Sequence, residues 1–560
     1  MANIAELFAQ HLKQPRTVLY RHCPDAEWLD VTAGALATEV ARWQAAFRRE
    51  GLAPGDRIVV CARNGPAWVA VDLAALGLAL VVVPLYVDDN AENVAWCAAN
   101  AEARLAVVES VRLARGLRKA GADVRALARM VVLRCDEALS PDDGAVTVDE
   151  FLPPAGGETE VKPVPEATLA TICYTSGTSG RPKGVMLSHG NILANVKGCR
   201  ETDMARTSDR FLSMLPLSHM FERTGGYYLP LSLGATVVYA RGIPQIAEDL
   251  ASQSPTVVFA VPRIFERFAA RIDKALAEST PKRALFDVCV ARGYRVVRGE
   301  ASLADRLVAA VLRPLVAAPI LAKMGGKLRL AVVGGAALDP ALARMFIGLG
   351  LPLLQGYGLT EASPVISVNR DTDNDPESVG APLPGIEVKL LDDGELAVRG
   401  PSVMLGYWHN DEATRAAIDA EGWLHTGDLA EIRAGKIYIR GRAKDIIVMS
   451  NGEKLPPQDV ELALLHDPVF EQVMLVGEGR PFPILLAVTR ETDEKALLKR
   501  ANDQLTGFPR WMRVRRVVAM REPWDVDSGL LTPTLKLKRP LVVKRFADKI
   551  DAAYADATKD

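Results

Sequence analysis

Residues 174–190 read YTSGTSGRPKGVMLSHG. Four glycines, the hydroxyls of Thr175, Ser176, Thr178 and Ser179, and the cation of Lys183 fall within this one stretch. An apolar run, Leu169 to Cys173, leads in, and Gly184 to Leu187 leads out. The pattern reads as a strand, a glycine-rich loop, and then a strand or a helix start. Without a Cβ, glycine lets the backbone come close to an anion. Loop N–H groups and hydroxyls can then wrap a phosphate, and lysine adds a point charge. The stretch therefore predicts a triphosphate-binding loop, against the alternative of a flexible surface loop. It is not a P-loop: Lys183 follows Gly180 by three, and Gly184 stands where Ser or Thr is required.

Outward from the loop, residues 1–150 alternate helical stretches with short apolar strands such as Arg57 to Cys61 and Val81 to Leu85. Residues 152–165, LPPAGGETEVKPVP, read as a surface linker. Further strand candidates are Phe211 to Leu215, Thr236 to Tyr239, Thr256 to Val261, Leu328 to Val333 and Pro352 to Gln355. Helix-length segments separate most of them, which predicts mixed α/β layers with a mainly parallel sheet. Residues 266–325 read as amphipathic helices interrupted at Pro281, Pro314 and Pro319. From about 378 to 440 the strands shorten and crowd (EVKLL, GELAVRG, KIYIRG), as in a small antiparallel sheet or barrel. Beyond Gly441 a compact α+β unit follows. The expected division is a large unit, 1–440, and a small one, 441–560.

The chain has 560 residues, too many for one core. It is 49% apolar and 24% charged with a net charge of −2, so it carries no electrostatic footprint for nucleic acid. No apolar run reaches the ~18 residues of a membrane-spanning helix. The start, MANIAELFAQHLKQPR, lacks the basic-then-apolar order of a secretion signal. Seven cysteines lie far apart with no C-x-x-C pair, which predicts buried free thiols in a reducing cytoplasm and no thiolate metal site.

Four more segments carry candidate chemistry. In LPLSHMFERTGG, 215–226, His219 sits among apolar residues, a setting more often structural than catalytic. VVGGAAL, 332–338, and LLQGYGLTEASP, 353–364, each put a glycine turn at the carboxyl end of a strand, where open α/β sheets bind ligands. Glu361 is the only carboxylate in the second turn. With Thr178 it could hold Mg²⁺, or it is a solvated loop acid. In GWLHTGDLAEI, 422–432, Asp428 could accept bonds from a ribose diol or satisfy its own turn. In IRGRAKDIIVMSNGEKLPPQDVE, 439–461, the charges of Arg442, Lys444 and Asp445 mark a solvated turn or a hinge.

Together these segments resemble the adenylate-forming superfamily, the AMP-forming acyl-CoA synthetases. YTSGTSGRPKG, GYGLTE, TGD, GRAKD and TPTLKLKR (532–539) occur in that family's order and spacing. LPLSHMFER, VPRIFERF (261–268), SNGEKLPP and GLLTPTLKLKR are most similar to its long-chain fatty acid branch.

The resemblance implies a two-step ligase using ATP, Mg²⁺ and CoA. A fatty acid carboxylate attacks the α-phosphate of ATP to give acyl-AMP and pyrophosphate. CoA thiol then takes the acyl group and releases AMP. Carried over by motif, Thr175, Ser176, Gly177, Thr178, Ser179, Gly180 and Lys183 hold the β and γ phosphates, and Thr178 and Glu361 lie near the magnesium. Gly334, Gly335 and Ala336 form the adenine wall with Gln355, Gly356, Tyr357, Gly358 and Leu359. Tyr357 stacks on the base and Thr360 bonds the α-phosphate. Asp428 and Arg442 hold the ribose, and His219 lines the carboxylate end of the acyl pocket. Lys536 matches the catalytic lysine and Lys444 the hinge. Many members carry Gly before that lysine; here it is Leu535, and Lys538 competes for the role. Loading of a carrier protein, another carboxylate as substrate, and a silent acyl-binding protein remain as rivals. The helices at 266–325 form a packed layer in the simpler reading. In the other they are a surface for acyl entry or for docking on the inner face of the membrane.

Overall fold

The structure, a computed structural model, describes residues 1–120, 127, 129–175, 181–525, 528–532 and 537–557. Ser176, Gly177, Thr178, Ser179, Gly180 and Lys536 lie outside the described residues.

Short runs of Val, Ile, Leu and Ala build two large sheets. Strands such as Arg57–Cys61 and Val81–Pro84 are buried on both faces, as parallel strands between helix layers must be. The first sheet has eight strands in the order Gly406–Tyr407, Lys183–Ser188, Leu169–Thr175, Val81–Pro84, Arg57–Cys61, Leu105–Ser110, Arg129–Arg134, Ala145–Thr147. The last six run parallel, and the two strands nearest the phosphate loop are antiparallel. The second has nine, in the order Ala381–Pro382, Val365–Val368, Leu353–Gly358, Leu330–Val333, Val257–Ala260, Arg210–Ser213, Thr236–Tyr239, Val18–His22, Leu29–Thr32. Its centre is parallel and its edges antiparallel. A four-stranded antiparallel sheet follows, Glu387–Leu390, Glu395–Arg399, Leu424–Arg433 and Lys436–Arg442. The C-terminal unit is built on Gln472–Val476, Ile484–Val488 and Val517–Met520, and has its own apolar clusters. The α/β architecture with a small antiparallel sheet and a small C-terminal domain is the one the sequence predicts.

One core cluster holds side chains of both large sheets and of helix Pro66–Gly77. That helix is apolar all round and buried from Trp68 onward, as a helix between two layers must be. Its one acid, Asp72, is fully buried and forms an ion pair with the equally buried Arg223. Asp72 also accepts from the hydroxyls of Tyr227 (3.1 Å) and Tyr228 (3.0 Å). Arg223 donates in turn to Thr171 Oγ1 (2.9 Å), whose hydroxyl donates to the carbonyl of Val82 (2.6 Å). The second sheet's other face carries helices Pro262–Leu276, Thr280–Val297, Leu303–Leu312 and Pro340–Gly348. Pro281 lies in the first turn of the second of these, where its missing N–H costs nothing.

Two expectations change. Residues 152–165 lack regular structure but are tied down: Gln44 Nε2 donates to the Glu160 carbonyl (2.7 Å), the Glu160 N–H donates to Gln44 Oε1 (2.8 Å), and the Lys162 N–H donates to the Gly77 carbonyl (2.8 Å). A buried amide on helix Ala33–Arg49 clamps what its composition presents as a loose linker. The thiols are free, but only Cys61, Cys97, Cys173 and Cys289 are buried; Cys135 is exposed, and Cys23 and Cys199 are half-buried. Among the described residues no helix is long and apolar enough to cross a membrane.

Removing one partner of a buried pair strands the other charge. Asp72→Ala should therefore cost about 3–5 kcal/mol. Denaturant unfolding of the large unit checks this, and a loss below about 1 kcal/mol would show that the pair does not hold the layers.

Candidate active site

The carboxyl ends of several strands converge on one cavity of about 2110 Å³. Thr175 ends strand Leu169–Thr175 and pairs in register with Lys183, so the two residues flank the glycine-rich stretch 176–182. The described residues of the loop's expected set, Thr175 and Lys183, both line the cavity. Gly334, Gly335 and Ala336 follow strand Leu330–Val333 and line it as well. A Cβ on Gly334 would lie 3.2 Å from the Phe221 ring, so glycine there lets Phe221 close against the strand end.

Strand Leu353–Gly358 brings Gln355, Gly356, Tyr357 and Gly358 to the same wall, and Leu359, Thr360 and Glu361 follow in the turn. That turn folds tightly: the Leu359 N–H donates to the Pro364 carbonyl (2.9 Å), and a Cβ on Gly358 would stand 2.0 Å from that oxygen. Only glycine fits.

Asp428 lies on strand Leu424–Arg433 opposite Arg442, its register partner. The Tyr357 hydroxyl donates to Asp428 Oδ2 (2.5 Å), and Arg442 Nε stands 3.0 Å from Oδ1. The Asp428 carboxylate is buried and engaged at both oxygens before any ligand arrives. Burial, and next the Asp428 charge, hold the Tyr357 hydroxyl well above its ordinary pKa, so it stays a donor. Lys444 sits in the short turn Ala443–Asp445, directly after Arg442, and lines the cavity.

His219 caps the helical turn Met220–Glu222, and its Nδ1 accepts from the Phe221 N–H (3.2 Å). An accepting Nδ1 puts the proton of a neutral ring on Nε2. The same cavity is also lined by the apolar side chains of Met214, Leu229, Val257, Phe259 and Val332. Phe221 packs edge-on against Phe259, with centroids 5.6 Å apart. Glu222, next in the same turn, is fully buried, and burial pushes its carboxyl pKa up to about 8 from an ordinary 4.5. From the C-terminal unit, Leu537 and Lys538 reach the cavity wall.

A sequence profile of AMP-binding enzymes matches residues 7–408, and one of the C-terminal domain of AMP-binding enzymes matches residues 444–558. The chain belongs to the AMP-binding enzyme family. It is 31% identical to the long-chain-fatty-acid–CoA ligase FadD15 of Mycobacterium bovis, over 99% of this chain and 97% of that one. It is 30% identical to the human long-chain-fatty-acid–CoA ligase 1, over 90% of this chain and 79% of that one. Its fold is similar to that of ATP-bound MatB from Rhodopseudomonas palustris, with TM-score 0.75 and 22% identity, over 98% and 99% of the two chains.

One cavity residue of this AMP-binding enzyme escapes a reading of the sequence. Tyr407, on the edge strand Gly406–Tyr407, pairs with Val185 next to the phosphate loop. Its hydroxyl donates to Glu361 Oε1 (2.9 Å), and Lys183 Nζ lies 4.9 Å from its ring centre. One side chain thus holds the turn's carboxylate and faces the loop's cation. The surrounding sequence, MLGYW, carries no chemical signature; only the strand pairing gives Tyr407 its neighbours.

Losing the Tyr407–Glu361 bond should cost about 0.5–1.5 kcal/mol, and losing the ring under Lys183 about 0.5–1 kcal/mol more. Calorimetric ATP binding should weaken roughly three- to tenfold in Tyr407→Phe and further in Tyr407→Leu. Unchanged affinity in both would detach Tyr407 from the site. Glu222 supplies a pH test. Between its unfolded pKa of 4.5 and its folded pKa of about 8, the folded chain holds a proton that the unfolded chain releases. Its contribution is complete below pH 4.5 and is lost as pH rises through 8. Glu222→Gln should flatten the fall of Tm between those limits, and a curve parallel to the parent's would assign the slope elsewhere.

Proposed function

We propose that this chain is an ATP-dependent long-chain fatty acid–CoA ligase of the AMP-forming type. The carrying observation is one cavity whose lining joins the glycine turns and Asp428 with His219 and with apolar side chains such as Met214, Leu229, Phe259 and Val332. Its volume of about 2110 Å³ exceeds the roughly 300–1,000 Å³ of a single-ligand pocket, so a nucleotide and an acyl chain can lie end to end. The near-full-length relative from Mycobacterium bovis is named a CoA ligase, which favours CoA over a carrier protein as acceptor.

In this reading the fatty acid carboxylate attacks the α-phosphate of ATP, and pyrophosphate leaves with the bond between the α and β phosphates. CoA thiol then attacks the acyl carbonyl of acyl-AMP, and AMP leaves. Lys183 and Thr175 bind the β and γ phosphates, with the hydroxyls of Ser176, Thr178 and Ser179 and the N–H groups of Gly177 and Gly180. Thr360 bonds the α-phosphate. The ring of Tyr357, fixed at its hydroxyl, stacks on adenine, and Asp428 and Arg442 take the ribose hydroxyls. Glu361 is a hard oxygen donor held by Tyr407, the kind of single protein ligand Mg²⁺ accepts beside phosphate oxygens. Glu361 and Thr178 would hold Mg²⁺, which would offset the charge of the phosphates. Lys536 bridges carboxylate and α-phosphate, reducing the repulsion between two anions before they react. The side chain of His219 closes the carboxylate end of the acyl arm. Each methylene buried there contributes about 0.8 kcal/mol, or roughly fourfold in affinity, so a deep arm selects long chains.

The second half-reaction needs other groups at the same phosphate. The unit 441–560 supplies them by rotating about Lys444, in the short turn joining the antiparallel sheet to the C-terminal unit. The free thiols fit a reducing cytoplasm.

Incubation with ATP, Mg²⁺, palmitate and CoA should give AMP, pyrophosphate and palmitoyl-CoA. ADP as product, or a carrier protein preferred over CoA, would overturn the assignment. Lys536→Ala should block acyl-AMP formation yet leave thiolation of supplied acyl-AMP largely intact. Equal loss of both halves would remove that role from Lys536, and unimpaired acyl-AMP formation would move it to Lys538.

A further inference from the structure

The turn that carries Asp428 is a bulge. In the ladder between strands Glu395–Arg399 and Leu424–Arg433, Glu395 pairs with Leu429 and Ala397 pairs with His425. Three residues, Thr426, Gly427 and Asp428, therefore stand against one, Leu396. A bulge re-aims a side chain and leaves ladder groups unpaired. Gly427 takes φ +71°, a backbone that glycine adopts without strain.

Side chains then tie the bulge down. The Thr426 hydroxyl donates to the Leu396 carbonyl (2.6 Å) and accepts from the Asp428 N–H (3.1 Å). The Gly427 N–H donates to Glu395 Oε1 (2.7 Å). The other carboxylate oxygen, Oε2, lies 3.4 Å from His425 Nδ1. Glu395 and His425 both line the cavity, and the Glu395 side chain is only 15% exposed. An ionised acceptor makes a hydrogen bond roughly twice as strong as a neutral one. Glu395 therefore grips the Gly427 amide more firmly than water or a carbonyl would. Tyr357 and Arg442 hold the tip of the Asp428 side chain, while Glu395 holds the backbone next to it. With both ends fixed, the Asp428 carboxylate keeps one direction.

We propose that Glu395 is a positioning residue for the nucleotide: by holding the Gly427 N–H it fixes the bulge and aims Asp428 at the ribose hydroxyls. The proposal deepens the ligase reading and rests on its assignment of Asp428 to the ribose. Calorimetric binding of ATP and of 2′,3′-dideoxy-ATP to the full chain separates the two. The parent should prefer ATP by roughly tenfold or more, as hydrogen bonds to a charged group give. Glu395→Ala should lose most of that preference, with dideoxy-ATP bound no more weakly than by the parent. Glu395→Asp draws the oxygens back by one methylene and should lose it as well. Glu395→Gln keeps an oxygen for the Gly427 N–H and should retain the larger part. Ala and Asp variants that keep the parent's preference would overturn the proposal. So would equal loss of affinity for both nucleotides, which a general loosening of the sheet would cause. A Gln variant no better than Ala would also overturn it, because charge rather than the bond to Gly427 would then be acting. A parent that binds both nucleotides equally would instead sink the ribose assignment of Asp428, and the proposal with it.

Discussion

The contact between Asp72 and Arg223 sets the geometry on which the rest depends. A carboxylate and a guanidinium with no exposure to water depend on each other and on the polar groups around them. Here two tyrosine hydroxyls donate to the carboxylate, and a threonine accepts from the guanidinium and donates in turn to a strand carbonyl, while Arg223 Nε is left without a hydrogen-bond partner among the described residues. The participants come from helix Pro66–Gly77, from the first sheet and from the turn beginning at His219. The network therefore locks the His219 turn against the sheet whose strand ends at Thr175. A well-packed apolar cluster of the same volume could match it in stability. What it would lack is direction, because hydrogen bonds between fixed atoms accept one registration of the layers and reject slipped ones.

Much of the fold is legible in the sequence because the strands advertise themselves. Thr236 to Tyr239 stands as read, and Leu328 to Val333 and Thr256 to Val261 shrink by a few residues at their ends, where burial rather than propensity decides the last pairing. The glycine turns are legible for the same reason, since a chain that must pass a carbonyl at 2.0 Å from a Cβ position can use nothing else. Contacts made by pairing elements far apart in sequence are not legible. Tyr407 meets Glu361 and Lys183 only because an edge strand joins the sheet beside the loop. Gln44 clamps Glu160 across 116 positions with no local sign in either segment. The apolar face of the 303–312 helix is a third case. Its periodicity reads as a packed layer, yet Leu303 and Leu307 are turned to water.

The site shares one electrostatic habit. Its carboxylates are held by neutral or cationic donors before a ligand binds: Asp428 by Tyr357 and Arg442, Glu361 by Tyr407. Tyrosine suits this work because a buried phenol next to a carboxylate resists ionisation and so keeps its proton to donate. A carboxylate fixed in this way loses little conformational entropy when it turns to a ligand. Its negative charge is also partly offset where a polyanion must approach. Lys183 over the Tyr407 ring follows the same logic for the opposite sign, since a cation held on an aromatic face is positioned without being neutralised.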